Sequence, residues 1–305
     1  MEMSAGSELV FTCPDGRALH GTVFDVPRGV ERRGTVVIAS ATAVKATYYH
    51  RYAAFLAANG FTAITFDYRG IGESRGGSLR GQKIRWYQWG CQDIDTVLAW
   101  AMERSDELPV NFVGHSFGGF GVGLAEHAAG LSRILTVGAQ HAYWGDLTLR
   151  RKAGHWGRAA VMLPLVAVMG YFPAKRLRLM EDLPAGVALD WARSRKDFPT
   201  AASGSVRDSL RAHQAAVRAP ILALAPNDDE YATLPAMNRA LSYTPNSPSR
   251  AIHLLPADYG ESALGHFALF HGRYQDTFWE QTLDWLRGRI WPPVPNSAPP
   301  HRSVR

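Results

Sequence analysis

The sequence predicts an α/β fold, a mostly parallel sheet with helices packed on both faces. Three observations carry this. Eight short apolar runs punctuate the 305 residues. Several are continuously apolar rather than alternating, as strands buried on both faces are. Segments of helical period lie between them, the signature of strand–helix–strand units.

Leu9–Thr12 and Leu19–Asp25 read as an opening pair of strands around the turn Pro14-Asp15-Gly16. Thr35–Ala39 (TVVIA) is the first fully apolar run. Tyr48–Asn59 is helical, because Tyr52, Phe55 and Leu56 share a face, and Gly60 supplies a stop. Phe61–Phe66 is the next strand. Cys91–Glu103 is a helix with Ile94, Val97, Leu98 and Ala101 on one side. Val110–Val113 is a strand, and Phe117–Ala129 a helix of small residues. Ile134–Gly138, Ile221–Ala225 and Ala251–Leu255 complete the strands, and Tyr274–Arg287 is the closing helix.

The alternation breaks once, between His141 and Pro199. That stretch holds Trp144, Trp156, Tyr171, Phe172 and Trp191. It reads as a cap (141–199) inserted into a core of residues 1–140 and 200–290. Its ten Lys/Arg against five Asp/Glu give +5 of the chain's +6. A solvated surface explains this excess, and so does a basic rim for acidic substrates or an anionic surface. Residues 291–305 are proline-rich and expected to be a disordered tail.

Composition excludes several classes. With 46% hydrophobic and 20% charged residues, the chain is not wholly disordered. Two cysteines, Cys13 and Cys91, cannot build a disulfide framework and stand in no metal-ligand spacing, so both read as free thiols. The first ten residues have no signal-peptide run, and the longest apolar stretch, Ala159–Met169, is half a membrane span and contains Pro164. A cytoplasmic protein without stable membrane insertion is the expectation. The basic residues form no nucleic-acid reading motif.

Gly114-His115-Ser116-Phe117-Gly118 matches the Gly-x-Ser-x-Gly nucleophile elbow. Such a match arises by chance about 0.1 times in a chain of this length. Gly72-Glu73-Ser74-Arg75-Gly76 matches too. Context separates them. The elbow needs a strand directly before it and a helix directly after, which only Ser116 has; Ser74 lies in loop composition. A serine needs a base, and the base a carboxylate. Enzymes with this elbow run Ser, Asp/Glu, His along the chain. Among eleven histidines, His266 in Gly265-His266-Phe267 follows the last strand and precedes the closing helix. His271 already opens that helix, and His141 precedes every candidate acid. The acid is expected just after Ile221–Ala225, in Asp228-Asp229-Glu230; Asp228 is preferred and Asp229 is the alternative.

These residues resemble the α/β-hydrolase fold family over about residues 9–288. Asp67-Tyr68-Arg69-Gly70-Ile71-Gly72-Glu73-Ser74 is similar to a structural loop that many members carry after the fourth strand, which further demotes Ser74. The nearest likeness is to bacterial predicted hydrolases near the serine aminopeptidase and monoacylglycerol lipase group, carried by the segments at 228–230, 265–267 and Gly170-Tyr171-Phe172-Pro173. The resemblance implies an eight-stranded sheet, a Ser116–Asp228–His266 triad and no cofactor or metal. Many members have His-Gly after the third strand, where this chain has Ser40-Ala41. Family spacing then puts Thr42, with Phe117, in the oxyanion hole.

The function expected is hydrolysis of an ester-like acyl bond of a small molecule, as a carboxylesterase, lipase-like enzyme or thioesterase. Acyl transfer by the same triad and a non-catalytic binding module are the alternatives. Trp144, Trp156, Tyr171 and Phe172 are expected to wall the substrate pocket, with Met162 and Met169 as adaptable surface and Arg150, Arg151 and Lys152 near a polar end.

Overall fold

The computed structural model describes residues 6–291. Six strands come first: β1 Ser7–Thr12, β2 Ala18–Phe24, β3 Gly34–Ala39, β4 Phe61–Phe66, β5 Val110–His115 and β6 Arg133–Val137. A two-stranded hairpin follows, β7 Tyr171–Phe172 and β8 Leu183–Pro184, then β9 Ile221–Pro226 and β10 Ser249–Leu254. The main sheet has eight strands in the order β1-β2-β4-β3-β5-β6-β9-β10. β2 runs antiparallel to both neighbours, and every other pairing is parallel. The eight-stranded, mostly parallel expectation holds.

Successive side chains of one strand feed opposite layers. Val37, Ile64 and Phe112 point into a core with Trp86, Trp89 and helix α2 (Asp95–Glu103). Val36, Ile38 and Val113 point into another with helix α1 (His50–Ala58) and Trp279 and Leu283 of the closing segment. A continuously apolar strand such as TVVIA is what two covered faces demand.

Helix α3 is much shorter than its expected range. It spans Phe117–Gly121, and 3-10 turns at Val122–Leu124 and His127–Gly130 replace the rest. Glycine in a helix interior costs about 1 kcal/mol relative to alanine, and 118, 119, 121 and 123 are all glycine. Close approach explains two of them. A Cβ on Gly118 would stand 2.4 Å from the Ala39 carbonyl oxygen, and one on Gly119 2.8 Å from Thr136 Cβ.

Between β6 and β9 the chain forms helix α4 (Leu149–Met169), the β7–β8 hairpin, helix α5 (Ala185–Ala192) and helix α6 (Gly204–Ala216). Thr148 caps α4 by accepting the Arg151 N–H, and Gly170 ends it at φ +76°. Helix α7 (Leu234–Leu241) follows β9. The closing helix is composite, a π turn at Gln275–Trp279 followed by α8 (Glu280–Leu286). Among the described residues no helix is long and apolar enough to cross a membrane. The tail expectation falls outside the described residues except at Trp291, which is buried near Phe278. Cys13 and Cys91 are free thiols.

Candidate active site

Ser116 sits where β5 turns into α3, at φ 53° and ψ −120°. An L-residue held in that region stores about 1–3 kcal/mol of strain. The turn is pinned on both sides. Ser116 N–H donates to Val137 O at 2.8 Å, and its carbonyl accepts from Gly119 and Phe120 N–H. Glycine at 114 lets the helix fold back, since a Cβ there would lie 2.4 Å from Gly119 Cα. Ser74 has a different task. It is buried, and its Oγ accepts the His20 N–H at 2.8 Å.

His266 is held by Asp229, whose Oδ2 accepts from the ring Nδ1 at 2.6 Å. The preference for Asp228 is corrected here. Asp228 Oδ2 accepts instead from the backbone N–H groups of Leu264 and Gly265, at 2.9 and 3.0 Å. The reason is a turn directly after β9: Asp229 N–H donates to Pro226 O, which folds the chain so that Asp229 is carried inward. Asp229 is 3% exposed, and its second oxygen accepts from Tyr231 and Ala232 N–H. Burial pushes its carboxyl up. The charge and hydrogen bond of the His266 ring and the two backbone donors outweigh that, so it sits below its ordinary value.

Behind His266 runs a buried chain of hydrogen bonds. Ala41 N–H donates to Tyr49 Oη at 3.0 Å, and Tyr49 Oη lies 2.7 Å from His115 Nδ1. His115 Nε2 lies 2.9 Å from the His266 carbonyl oxygen. One assignment satisfies every atom: the phenol donates to Nδ1, and Nε2–H donates to the carbonyl. Desolvation, and then the neighbouring His266, push His115 down to about 3, so it is neutral and can take these roles.

Ser116, His266, Thr42 and Phe117 line one cavity of about 100 Å³. Phe117 is the first residue of α3, so its N–H has no acceptor within the helix. Thr42 lies in the turn after β3. Left-handed backbone falls at Ala43 (φ 62°), the residue after Thr42. Gln140 reaches Ser116 from β6's far end, its Nε2 3.5 Å from Ser116 Oγ. Its Oε1 accepts the Ala142 N–H, which fixes which end of the amide faces the serine. Ser116 Oγ and His266 are not hydrogen-bonded to each other; such contacts often tighten only when substrate binds. Among the described residues no three His, Cys, Asp or Glu side chains form a set able to hold a metal ion.

Residues 30–161 match the family model described as serine aminopeptidase, S33. No curated protein sequence matches the chain. Among solved structures, an esterase of Pyrococcus furiosus superposes with a TM-score of 0.58 at 14% identity, over 94% of this chain and 92% of that one. A hydrolase of Pseudomonas aeruginosa gives 0.56 at 19%, over 93% and 99%. The α/β hydrolase GrgF of a Penicillium species gives 0.59 at 17%, over 94% and 99%. The chain has the α/β-hydrolase fold.

The pocket expectations need correction. Tyr171 and Phe172 are spent in the β7–β8 hairpin, and Phe172 is fully buried in the core. Trp144 and Trp156 line a neighbouring groove rather than the Ser116 cavity. Met162 is a core residue. Arg151 binds Glu230 and lies over the Tyr231 ring. The Phe, Tyr and Trp residues that line the Ser116 cavity are Trp86, Phe117, Trp191, Tyr231 and Phe267. His141 is buried against Phe120, and its Nε2 lies 3.2 Å from the Arg195 carbonyl. His271 is exposed.

Two neighbours of the candidate site escaped sequence reasoning. Gln140 follows β6 in Gly138-Ala139-Gln140, where only proximity in space marks it. Gly138 did carry a signal, a glycine at a strand end on the sheet edge that holds Ser116. It has φ +63°, and a Cβ there would lie 2.9 Å from His266 Cε1 and 3.2 Å from Asp229 Oδ2.

Proposed function

We propose that this α/β hydrolase cleaves an ester-like acyl bond through an acyl-enzyme on Ser116. One observation carries the reading: the buried Asp229–His266 pair, 2.6 Å apart, opens on the same small cavity as the strained Ser116. His266 takes the Ser116 proton as Oγ attacks the carbonyl carbon. Asp229 holds the ring with Nε2 free and stabilises the imidazolium that forms. The N–H groups of Phe117 and Thr42 receive the oxyanion, where losing one donor costs about 3 kcal/mol. The imidazolium then protonates the leaving alcohol or thiol. Water, deprotonated by the same His266, attacks the acyl carbon and releases the acid and Ser116.

The family model's name includes aminopeptidases, which must hold a substrate ammonium. The Ser116 cavity offers no carboxylate for one, and its cationic wall residue Arg158 would repel it. An acyl substrate without an ammonium group fits better, and the esterase among the structural neighbours agrees with that.

Fluorophosphonate labelling followed by peptide mass spectrometry tests the reading. The adduct is expected on Ser116 and absent from Ser116→Ala, and short-chain p-nitrophenyl esters are expected to turn over. An adduct on Ser74, or no adduct on folded protein, overturns it. Added alcohols or amines that divert the acyl group from water would make the reaction a transfer.

A further inference from the structure

The acidic residues of segment 141–199 are all engaged. Asp146 pairs with Arg239, Glu181 with Lys175, Asp182 with Arg75, Asp190 with Arg85 and Asp197 with Arg211. Seven cations of the same segment have no carboxylate partner among the described residues: Lys152, Arg158, Arg176, Arg178, Arg193, Arg195 and Lys196. Four of them, Arg158, Arg193, Arg195 and Lys196, share one place. Arg158 lines the cavity that holds Ser116 and His266. Arg193, Arg195 and Lys196 line the adjoining groove of about 590 Å³, whose other walls include Trp144 and Trp156. His155 borders both spaces and joins them. No Asp or Glu lines either one.

Arg158 is also held in position. Its guanidinium carbon lies 4.7 Å from the Trp191 ring centre and 5.9 Å from that of Tyr231. Stacking occupies the face of a guanidinium and leaves its N–H edge, which matches a carboxylate or phosphate with two parallel hydrogen bonds. That edge makes no hydrogen bond to the described residues, so the strongest donor set in the cavity is unused by the protein itself. A cation placed so beside a nucleophile, with like charges along the approach, selects for a negative ligand.

We infer that the substrate of this site carries an anionic group, a carboxylate or a phosphate, which Arg158 binds after Arg193, Arg195 and Lys196 draw it in. The inference rests on the hydrolase reading and sharpens it to acidic acyl substrates. The anion can sit on the acyl part or on the leaving group.

Matched substrates decide it. On the acyl side, p-nitrophenyl hexanoate, heptanoate and octanoate are compared with the mono-p-nitrophenyl esters of adipate, pimelate and suberate. On the leaving-group side, hexanoyl pantetheine is compared with its 4′-phosphate. For at least one pair the anionic member is expected to have the higher kcat/KM by about tenfold or more, the scale of a hydrogen bond to a charged group. The ratio should fall toward one in Arg158→Met, be partly kept in Arg158→Lys, and shrink with added salt. A ratio near one in every wild-type pair, or a ratio unmoved by Arg158→Met in folded protein, overturns the inference and leaves the hydrolase reading standing. The latter result would make Arg158 a structural link between α4 and α5. Failure of both labelling and turnover would sink the hydrolase reading instead. Calorimetric titration of wild type with pimelic acid monoamide against heptanamide then still reads the charge preference, and equal binding overturns it.

Discussion

Asp228 and Asp229 are one peptide bond apart, and both hold the loop that carries His266. They hold different atoms of it. Asp229 meets the ring nitrogen, and Asp228 gathers two backbone N–H groups just before it. Replacing a carboxylate by an amide distinguishes the two roles. Asp229→Asn should lower kcat by about 10⁴, because the amide no longer fixes the reactive tautomer or balances the imidazolium. Asp228→Asn keeps an acceptor for Leu264 and Gly265, so kcat should fall by roughly tenfold or less, and Asp228→Ala should cost about 1–3 kcal/mol of stability by orphaning two N–H groups. Steady-state kinetics and urea melts of the three variants check this; equal losses of kcat in both asparagine variants would refute the division. The chain order and the acidic run placed the carboxylate that meets His266 within one residue. Which of two neighbours turns inward depends on the Asp229-to-Pro226 backbone bond, and no composition or spacing reports a single hydrogen bond.

At the scale of elements, the elbow was legible because its cause is local. Strand, strained serine and small helix residues are all written within ten positions. The segments that serve it come from far apart. Tyr49 at the start of α1, Ala41 after β3, His115 at the end of β5 and His266 after β10 form one buried chain of hydrogen bonds. This chain ties the loop that carries Thr42 to the loop that carries His266. His115, which the motif leaves as a free choice, is thereby committed. Tyr49→Phe removes the acceptor of Ala41 N–H and the donor to His115 Nδ1 together. It should cost about 2 kcal/mol of stability and lower kcat more than it changes KM, since the loops lose register rather than binding surface. The double variant Tyr49→Phe/His115→Asn should lose less than the sum of its parts, as members of one network do. Additive losses in a double-mutant cycle would show that the two residues act separately.

For the whole molecule, the sheet and its two cores followed from apolar runs, because burial on both faces leaves an unmistakable pattern. The segment over the site did not follow so directly. Its aromatics are divided among core, groove and cavity by α4, α5 and the β7–β8 hairpin, and sequence shows only that they are aromatic. His141 marks the seam between that segment and the sheet. It is 2% exposed, packed against Phe120, Phe198 and Tyr243, and bonded to the Arg195 carbonyl. Burial first of all pushes it down to about 4 from its ordinary 6.5. The unfolded chain therefore takes up a proton below pH 6.5 that the folded seam refuses until pH 4. Stability from this group is complete above pH 6.5 and is lost as the pH falls through that window. By pH 5 the loss is about 2 kcal/mol relative to pH 7.5. His141→Phe keeps an aromatic ring in the cluster and removes the titration. Whatever the substitution costs at pH 7.5, the variant should recover about 2 kcal/mol against wild type by pH 5. Denaturant melts of both proteins at the two pH values measure that difference of differences, and a gap that stays constant with pH would mean that His141 is free to ionise in the folded state.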